Sequence, residues 1–200
     1  SEMCIRDRLA DVTLLGRPAD IRAVAERFSV DLAGVSLLDP EASELLSHYT
    51  DLFYELRREK GVTPEKAAAM MKNPLFFAAM HIREGGADGM VAGAISTTGD
   101  TLRPGLQIVK TAPGVPLVSS YFLMIAPEGG NPYCEDGCYI YSDSGLCQNP
   151  TSEELAYIAV SAAQSAEVIA ELEPRIAFLS HSTKGSAKHA DVDKVLNGLA

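Results

Sequence analysis

Short apolar runs alternate along this chain with longer segments whose polar and apolar residues have helical spacing. The apolar runs predict β-strands at 12–15, 89–95, 117–125, 139–142 and 175–180. Helical spacing and helix-start signals predict α-helices near 19–28, 40–60, 64–72, 74–85, 100–110, 152–171 and 190–199. Because strands and helices alternate, the pattern predicts an α/β protein with mainly parallel sheets flanked by helices. Sheets of that kind bind ligands at the carboxyl ends of their strands.

The starts of the helices are well marked. At 39–40, 63–64 and 73–74 a side chain that can cap a helix precedes a proline, the residue favoured at the first helical position. Thr151 and Glu154 stand three residues apart, as in a capping box, ahead of an alanine-rich segment. These signals fix where the helices begin more firmly than where they end.

The segment GADGMVAGAISTTGDTLRPGLQIVKTAP, at 86–113, carries the strongest chemical signal. An apolar run of strand length is followed by a hydroxyl-rich turn, and Arg103 comes in the first turns of the next predicted helix. Helix N-termini, hydroxyl groups and a forked guanidinium together suit an oxyanion such as phosphate. The candidate ligands are Thr97, Thr98, Thr101 and Arg103. A helix-capping turn with Arg103 in a structural salt bridge is the alternative.

Length, charge and hydropathy narrow the class of protein. The 200 residues carry a formal net charge of −10, and no basic stripe is present that would bind nucleic acid. No apolar run is long enough to span a bilayer, and the charged first residues lack a signal-peptide core, so we expect a cytoplasmic protein. An acidic chain must bind anions through local cations, for which Arg57, Arg103 and Lys110 are candidates; Arg58 suits a solvated surface.

Three of the four cysteines, Cys134, Cys138 and Cys147, lie in one loop-like segment. A zinc site there would need a distant fourth ligand such as His181 or His189, because the spacing contains no second tight pair. Free thiols of a reducing compartment are the preferred interpretation, and we expect no metal.

Five collinear segments resemble the phosphate acetyltransferases (phosphotransacetylases) and the related phosphate butyryltransferases. The resemblance extends from about residue 11 to about residue 195. The segments are LFYELRREKGVT at 52–63, ADGMVAGA at 87–94, TLRPGLQIVKTAPG at 101–114, NPTSEELAYIA at 149–159 and EPRIAFLSHSTKGSAK at 173–188.

The resemblance implies reversible transfer of an acetyl group between acetyl phosphate and coenzyme A, with coenzyme A as a substrate and no separate cofactor. It implies two α/β lobes with a cleft between them, similar in fold to isocitrate and isopropylmalate dehydrogenases, and a homodimer. We expect the lobes at 9–113 and 114–200.

The resemblance also assigns residues. Thr97, Thr98, Thr101 and Arg103 match the phosphate-handling turn, and Arg57 matches a position that recognises an anion of coenzyme A. Ser182 and Thr183 match a hydroxyl- and glycine-rich loop facing the cleft. A Ser/His hydrolase built on His181 and Ser182 is disfavoured, because no acidic partner is placed for them. Asp143 aligns with an acidic position of the family, but the residues that follow it depart from the pattern, and no role is assigned to it.

Family members carry their catalytic serine-arginine pair and aspartate beyond the position of Ala200, so no catalytic residue is assigned here. Residues 1–8 have no counterpart and are interpreted as a non-native leader, which makes the chain a fragment with incomplete sheets. Two alternatives are a non-catalytic acetyl-CoA-sensing domain, as in the tail of malic enzymes, and a phosphate butyryltransferase. A dehydrogenase relative would need metal-binding aspartates and an adenine loop, and neither is found.

Overall fold

A computed structural model describes residues 10–127, 137–182 and 185–200. The chain divides into two compact units, the first ending at Lys110 and the second running from Thr111 to Ala200. The first unit contains β1 (Thr13–Leu15), α1 (Pro18–Arg27), β2 (Ser36–Leu38), α2 (Leu45–Arg57), α3 (Pro64–Met71), α4 (Pro74–Arg83) and α5 (Thr98–Pro104). The second contains β3 (Tyr121–Ile125), β4 (Cys138–Ser142), α6 (Ser152–Ala170) and α7 (Ala190–Leu199).

The core of the first unit is formed by α2, α3 and α4 with the turn that follows α5. Its fully buried large side chains are Phe53, Met71, Phe77, Met80 and Ile108. The rings of Phe53 and Phe76 meet edge to face, with centroids 5.6 Å apart. Aromatic and sulfur-containing side chains fill this centre at high density, so the helices are held together chiefly by burial of apolar surface.

Local capping explains why most helices begin where the sequence predicts. The Thr63 hydroxyl accepts a hydrogen bond from the Lys66 N–H at 3.3 Å, and the Asn73 side chain accepts from Leu75 at 2.9 Å. The capping box is also confirmed: Glu154 N–H donates to the Thr151 hydroxyl, and the Glu154 carboxylate accepts from Thr151 N–H. Each of these contacts stabilises a helix by about 1 kcal/mol.

The predicted helix at 40–60 begins later, at Leu45. Asp39 instead accepts a hydrogen bond from Glu41 N–H at 3.0 Å, which closes a tight turn. The backbone carbonyl of Asp39 accepts from Ala42 N–H at 3.2 Å in the same turn. An aspartate before a proline stabilises turns as well as helix starts, and here the turn is formed.

The sheets are smaller than predicted and only one of the two is parallel. In the first unit β1 pairs with β2 in parallel, with Thr13 opposite Ser36. In the second unit β3 pairs with β4 antiparallel, with Tyr121 opposite Ser142. Strand β2 was not predicted from the sequence, although the apolar pair of Leu37 and Leu38 was a signal for it. The chain is therefore a mixed α/β protein with two-stranded sheets.

Two predicted strands, at 89–95 and 175–180, are wrong for this structure. Both segments lack a strand assignment, and within the described chain neither pairs with a neighbouring strand. Their apolar side chains are exposed: Ile95 is 100% exposed, Val91 89% and Leu179 74%. A strand exists only where a second strand completes its hydrogen bonds, which an apolar run cannot show by itself. The predicted strand at 117–125 is shortened to β3 for the same reason.

Among the helices in the described ranges, none has both the length and the apolar character required to cross a bilayer.

Candidate functional site

The hydroxyl-rich segment from Thr97 to Arg103, called here the Thr97 turn, forms a capped helix start. Thr97 has an extended backbone (φ −69°, ψ 159°), and its hydroxyl accepts a hydrogen bond from Asp100 N–H at 3.2 Å. The Thr97 hydroxyl also lies 2.8 Å from the Asp100 carboxylate, to which it donates. Thr101 donates its hydroxyl hydrogen to the Thr97 carbonyl at 3.0 Å. Helix α5 therefore begins two residues before its predicted start.

Arg103 lies one turn further along α5, on the side of Asp100. Its Nη1 is 3.6 Å from an Asp100 carboxylate oxygen, and the side chain is 59% exposed. The salt bridge considered as an alternative is thus present, but its length exceeds that of a strong charge-assisted hydrogen bond. An exposed pair of this kind contributes little stability, so an incoming anion can compete for the guanidinium. Thr98, the first residue of α5, is also exposed.

Arg57 differs from its neighbour Arg58. Arg58 forms an exposed ion pair with Glu55 at 3.1 Å, as expected of a solvated surface residue. The Nε of Arg57 is buried and has no hydrogen-bond partner in the part of the chain that the structure describes. A buried N–H of a charged group without a partner is costly. An acceptor beside this Nε would remove that cost, and the family resemblance assigns this arginine to an anion of coenzyme A.

The predicted loop in the second unit is arranged around its own hydroxyl groups. Ser182 N–H donates to the Ser180 hydroxyl at 3.1 Å, and the Ser182 hydroxyl accepts from Ala187 N–H at 3.0 Å. The His181 ring packs edge to face on His189, with centroids 5.5 Å apart. Ser182 is therefore engaged with backbone. Thr183 lies outside the described residues.

Asp143 holds together a part of the second unit to which the sequence assigned no role. One carboxylate oxygen accepts from the N–H groups of Gly145 and Leu146, each at 2.7 Å, and from the Ser120 hydroxyl at 3.0 Å. The other oxygen accepts from Ser120 N–H at 2.9 Å. Partial burial would raise the pKa of Asp143, but these hydrogen bonds outweigh it and lower the pKa to about 2. The signal in the sequence was the Asp-Ser-Gly tripeptide, which favours a turn.

The Cys147 thiol lies near Asp143 and is weakly acidic. Burial, followed by the negative charge of Asp143, raises the pKa of Cys147, whose thiol donates to the Val118 carbonyl at 3.5 Å. The thiol therefore stays protonated at neutral pH. Cys138 is a free thiol in β4, and Cys134 lies outside the described residues. Within the described ranges, no three His, Cys, Asp or Glu side chains are grouped so as to hold a metal ion.

The second unit also contains an open cavity of about 220 Å³ that the sequence did not indicate. It lies between the 111–119 segment, the β3–β4 pair and α6. Small side chains on one face of α6, Ser161, Ala162 and Ser165, leave this space. Because such residues also occur in ordinary helix packing, their spacing alone could not have predicted a cavity.

The described structure is a mixed α/β chain with an exposed arginine on a hydroxyl-rich turn. The whole chain, residues 1–200, matches the model of the phosphate acetyl/butaryl transferase family. The chain belongs to this family.

Curated relatives agree with the family match. The chain is 45% identical over 199 residues to a phosphate acetyltransferase of Clostridium acetobutylicum, covering 100% of this chain and 59% of the relative. It is 45% identical over 195 residues to the phosphate acetyltransferase of Thermoanaerobacterium thermosaccharolyticum, covering 98% and 58%. The chain therefore spans somewhat more than half the length of these relatives.

Solved structures agree as well. A phosphotransacetylase from Streptococcus pyogenes superposes with a TM-score of 0.80 at 36% identity, over 92% of this chain and 54% of that one. The EutD phosphotransacetylase from Staphylococcus aureus gives a TM-score of 0.77 at 38% identity, over 92% and 53%.

Proposed function

We propose that this chain provides phosphate- and coenzyme A-binding residues of a phosphate acetyltransferase, which moves an acetyl group reversibly between acetyl phosphate and coenzyme A. The observation that carries the proposal is the exposed Arg103 on the Thr97 turn. It stands in a chain that is 45% identical to a phosphate acetyltransferase. Free thiols at Cys138 and Cys147 support a cytoplasmic protein, since unpaired cysteines are common in reducing compartments.

In the proposed reaction the sulfur of coenzyme A attacks the acetyl carbon, a carbon–sulfur bond forms, and the carbon–oxygen bond to phosphate breaks. The thiol proton passes to solvent or to the departing phosphate before or during attack, and inorganic phosphate leaves. Arg103 offers a charged, forked donor to the phosphate oxygens, and the Thr97 and Thr101 hydroxyls hold the turn that presents it. Binding both substrates in reacting geometry lowers the entropic part of the barrier.

Arg57 is proposed to bind a phosphate of coenzyme A, supported by its buried and unpartnered Nε. Ser182 and Thr183 are proposed to line the same substrate cleft, on the basis of the sequence resemblance. The finer architecture is also part of the proposal: two lobes with a cleft, as in isocitrate and isopropylmalate dehydrogenases, and a homodimer. No cofactor other than coenzyme A as a substrate is required.

The test measures binding of inorganic phosphate to the 200-residue chain by titration calorimetry, for the wild type, Arg103→Ala and Arg58→Ala. A charge-assisted hydrogen bond contributes about 1.5–3 kcal/mol, so Arg103→Ala should weaken phosphate binding by about tenfold to 150-fold. Arg58→Ala removes an equal charge from an exposed ion pair and should change binding less than about threefold. Equal effects of the two substitutions would contradict the proposal.

Phosphate butyryltransferase is the second candidate, because the matching family model covers both activities. Calorimetric titration of the chain with acetyl phosphate and with butyryl phosphate separates the two, since the preferred acyl phosphate binds more tightly. Tight binding of acetyl-CoA with no binding of either acyl phosphate would instead favour an acetyl-CoA-sensing domain.

A further inference from the structure

The segment that carries the Thr97 turn leaves helix α4 and returns to the same end of that helix. At its start, Gly86 N–H donates to the His81 carbonyl at 2.8 Å. At its end, Arg83 donates through Nη1 to the Ile108 carbonyl at 2.7 Å. His81 and Arg83 both belong to the last turn of α4. The last turn of α4 therefore contacts both ends of the segment from Gly86 to Ile108.

The start is held by a close contact between a ring and a glycine. A Cβ atom added at Gly86 would overlap the His81 imidazole and come within 2.7 Å of its Nε2. The ring is held in its position, because its Nδ1 lies 2.9 Å from the hydroxyl of Tyr49 and its face stacks on Phe77. Tyr49 is itself only 3% exposed. Gly86 is thus required by the position of the His81 ring, and its backbone is not in the left-handed region.

The end is held by a charged donor on an unusual turn. Ile108 is fully buried and lies in a π-helical turn, Gly105–Val109, that continues α5. Lys110 follows with a φ of 68°, which is uncommon for a residue with a side chain, and its N–H donates to the Gly105 carbonyl. The short bond from Arg83 is charge-assisted and fixes the carbonyl of this turn.

Between these two ends the chain is held mainly by Pro104, which is fully buried beside Arg103. Val91 and Ile95 are exposed, and no strand in the described chain pairs with their segment. The hydrogen bonds that shape the Thr97 turn are internal to it. The position of Arg103 therefore depends on the burial of Pro104 and on the two anchored ends.

We propose that the last turn of α4 is a two-point clamp, in which His81 and Arg83 are positioning residues for the phosphate-binding Arg103. The inference rests on the proposed function only for what Arg103 binds. The two contacts of the clamp fix the position of the Thr97 turn whatever ligand Arg103 binds. Its ends are the His81–Gly86 contact and the Arg83–Ile108 bond.

Gly86→Ala tests the clamp at its start, because the new methyl group would displace the His81 ring. Gly89→Ala is the matched control: it is the same substitution three residues later, with nothing within 4 Å of the added Cβ. His81→Ala tests the same contact from its other side, because it removes the ring that lies against Gly86. Amide hydrogen exchange of residues 98–109 and the affinity for inorganic phosphate are measured on the full chain.

We expect Gly86→Ala to speed amide exchange in residues 98–109 and to weaken phosphate binding by about fivefold, an effect within the range for coupled neighbouring residues. His81→Ala should speed exchange and weaken phosphate binding in the same direction, and Gly89→Ala should match the wild type. Wild-type exchange in Gly86→Ala, or in His81→Ala, would overturn the clamp.

Arg83→Lys and Arg83→Ala test the other end and keep the proposal falsifiable if Gly86→Ala does not fold. Lysine retains one charged donor, so exchange should be faster in Arg83→Ala than in Arg83→Lys; equal rates would overturn this end of the clamp. If the wild type does not bind phosphate but the variants still show faster amide exchange, the proposed function is contradicted and the clamp is retained. If Gly86→Ala and Arg83→Ala bind phosphate as tightly as the wild type does, the proposed function is retained and the clamp is overturned.

Discussion

Replacing Asp143 with asparagine separates the role of its charge from that of its shape. The amide oxygen of asparagine can still accept hydrogen bonds from Gly145 and Leu146, which contact one carboxylate oxygen. The amide NH₂ would face the backbone N–H of Ser120, which now donates to the other carboxylate oxygen at 2.9 Å. Two donors would then oppose each other, and a partly buried N–H would lose its acceptor.

The lowered pKa of Asp143 gives the size of the expected loss of stability. Lowering the pKa of Asp143 from 3.8 to about 2 corresponds to roughly 2 kcal/mol of preference for the charged form in the folded chain. Because the side chain is only partly buried and solvent screens part of this preference, Asp143→Asn should lower the free energy of unfolding of the second unit by about 1 kcal/mol at pH 7. Urea titration followed by tyrosine fluorescence reports chiefly on this unit, because five of the seven tyrosines lie in it and the other two lie in α2.

The dependence on pH provides a stricter test. Because the folded pKa lies below the unfolded value, the stabilisation is complete above about pH 4 and is lost as the pH falls towards about 2. The difference in stability between the wild type and Asp143→Asn should shrink over that window. Glu173→Gln, at an exposed carboxylate, is the control. A difference that stays constant from pH 6 to pH 2, or a variant as stable as the wild type, would refute the argument from hydrogen bonding.

Three further predictions concern the second unit. Alkylation of Cys147 at pH 7.5, followed by mass spectrometry of its peptide, should be several-fold slower in the native chain than in urea, because burial and Asp143 raise the pKa of the thiol. Gly198→Ala should lower the free energy of unfolding by about 1–3 kcal/mol, since its Cβ would lie 2.9 Å from the Ser152 carbonyl; calorimetry checks this. Thr151→Ala should cost about 1 kcal/mol by removing the capping box of α6, measured as a lower midpoint in urea.

The helices were predictable because the signals that begin them are local. Thr63, Asn73 and Thr151 each cap through hydrogen bonds to residues two or three positions away, so the pattern contains both partners. Strands depend on partners far along the chain. The apolar run at 89–95 resembles a strand in composition, but its pairing depends on another segment, and none in the described chain pairs with it.

The candidate site shows the same difference between local contacts, which the sequence predicts, and long-range contacts, which it does not. The Thr97 turn was recognisable because its hydroxyl groups and Arg103 are close in sequence, and its hydrogen bonds span three or four residues. The burial of the Arg57 Nε, and the pairing of Arg83 with Ile108, depend on how α2 and α4 pack. Arg83 and Ile108 are 25 positions apart in the chain, and hydrophobic periodicity contains no information about pairs so far apart.

The exposed apolar run near Val91 and Ile95 also affects how the chain behaves in concentrated solution. Its backbone amides and carbonyls have no strand beside them in the described chain, so they offer a template on which another molecule can add. The run at 90–95 contains no charged side chain that would repel such an addition. We therefore expect Val91→Lys, which adds a charge to this short run, to reduce association of the isolated chain in concentrated solution, as measured by light scattering.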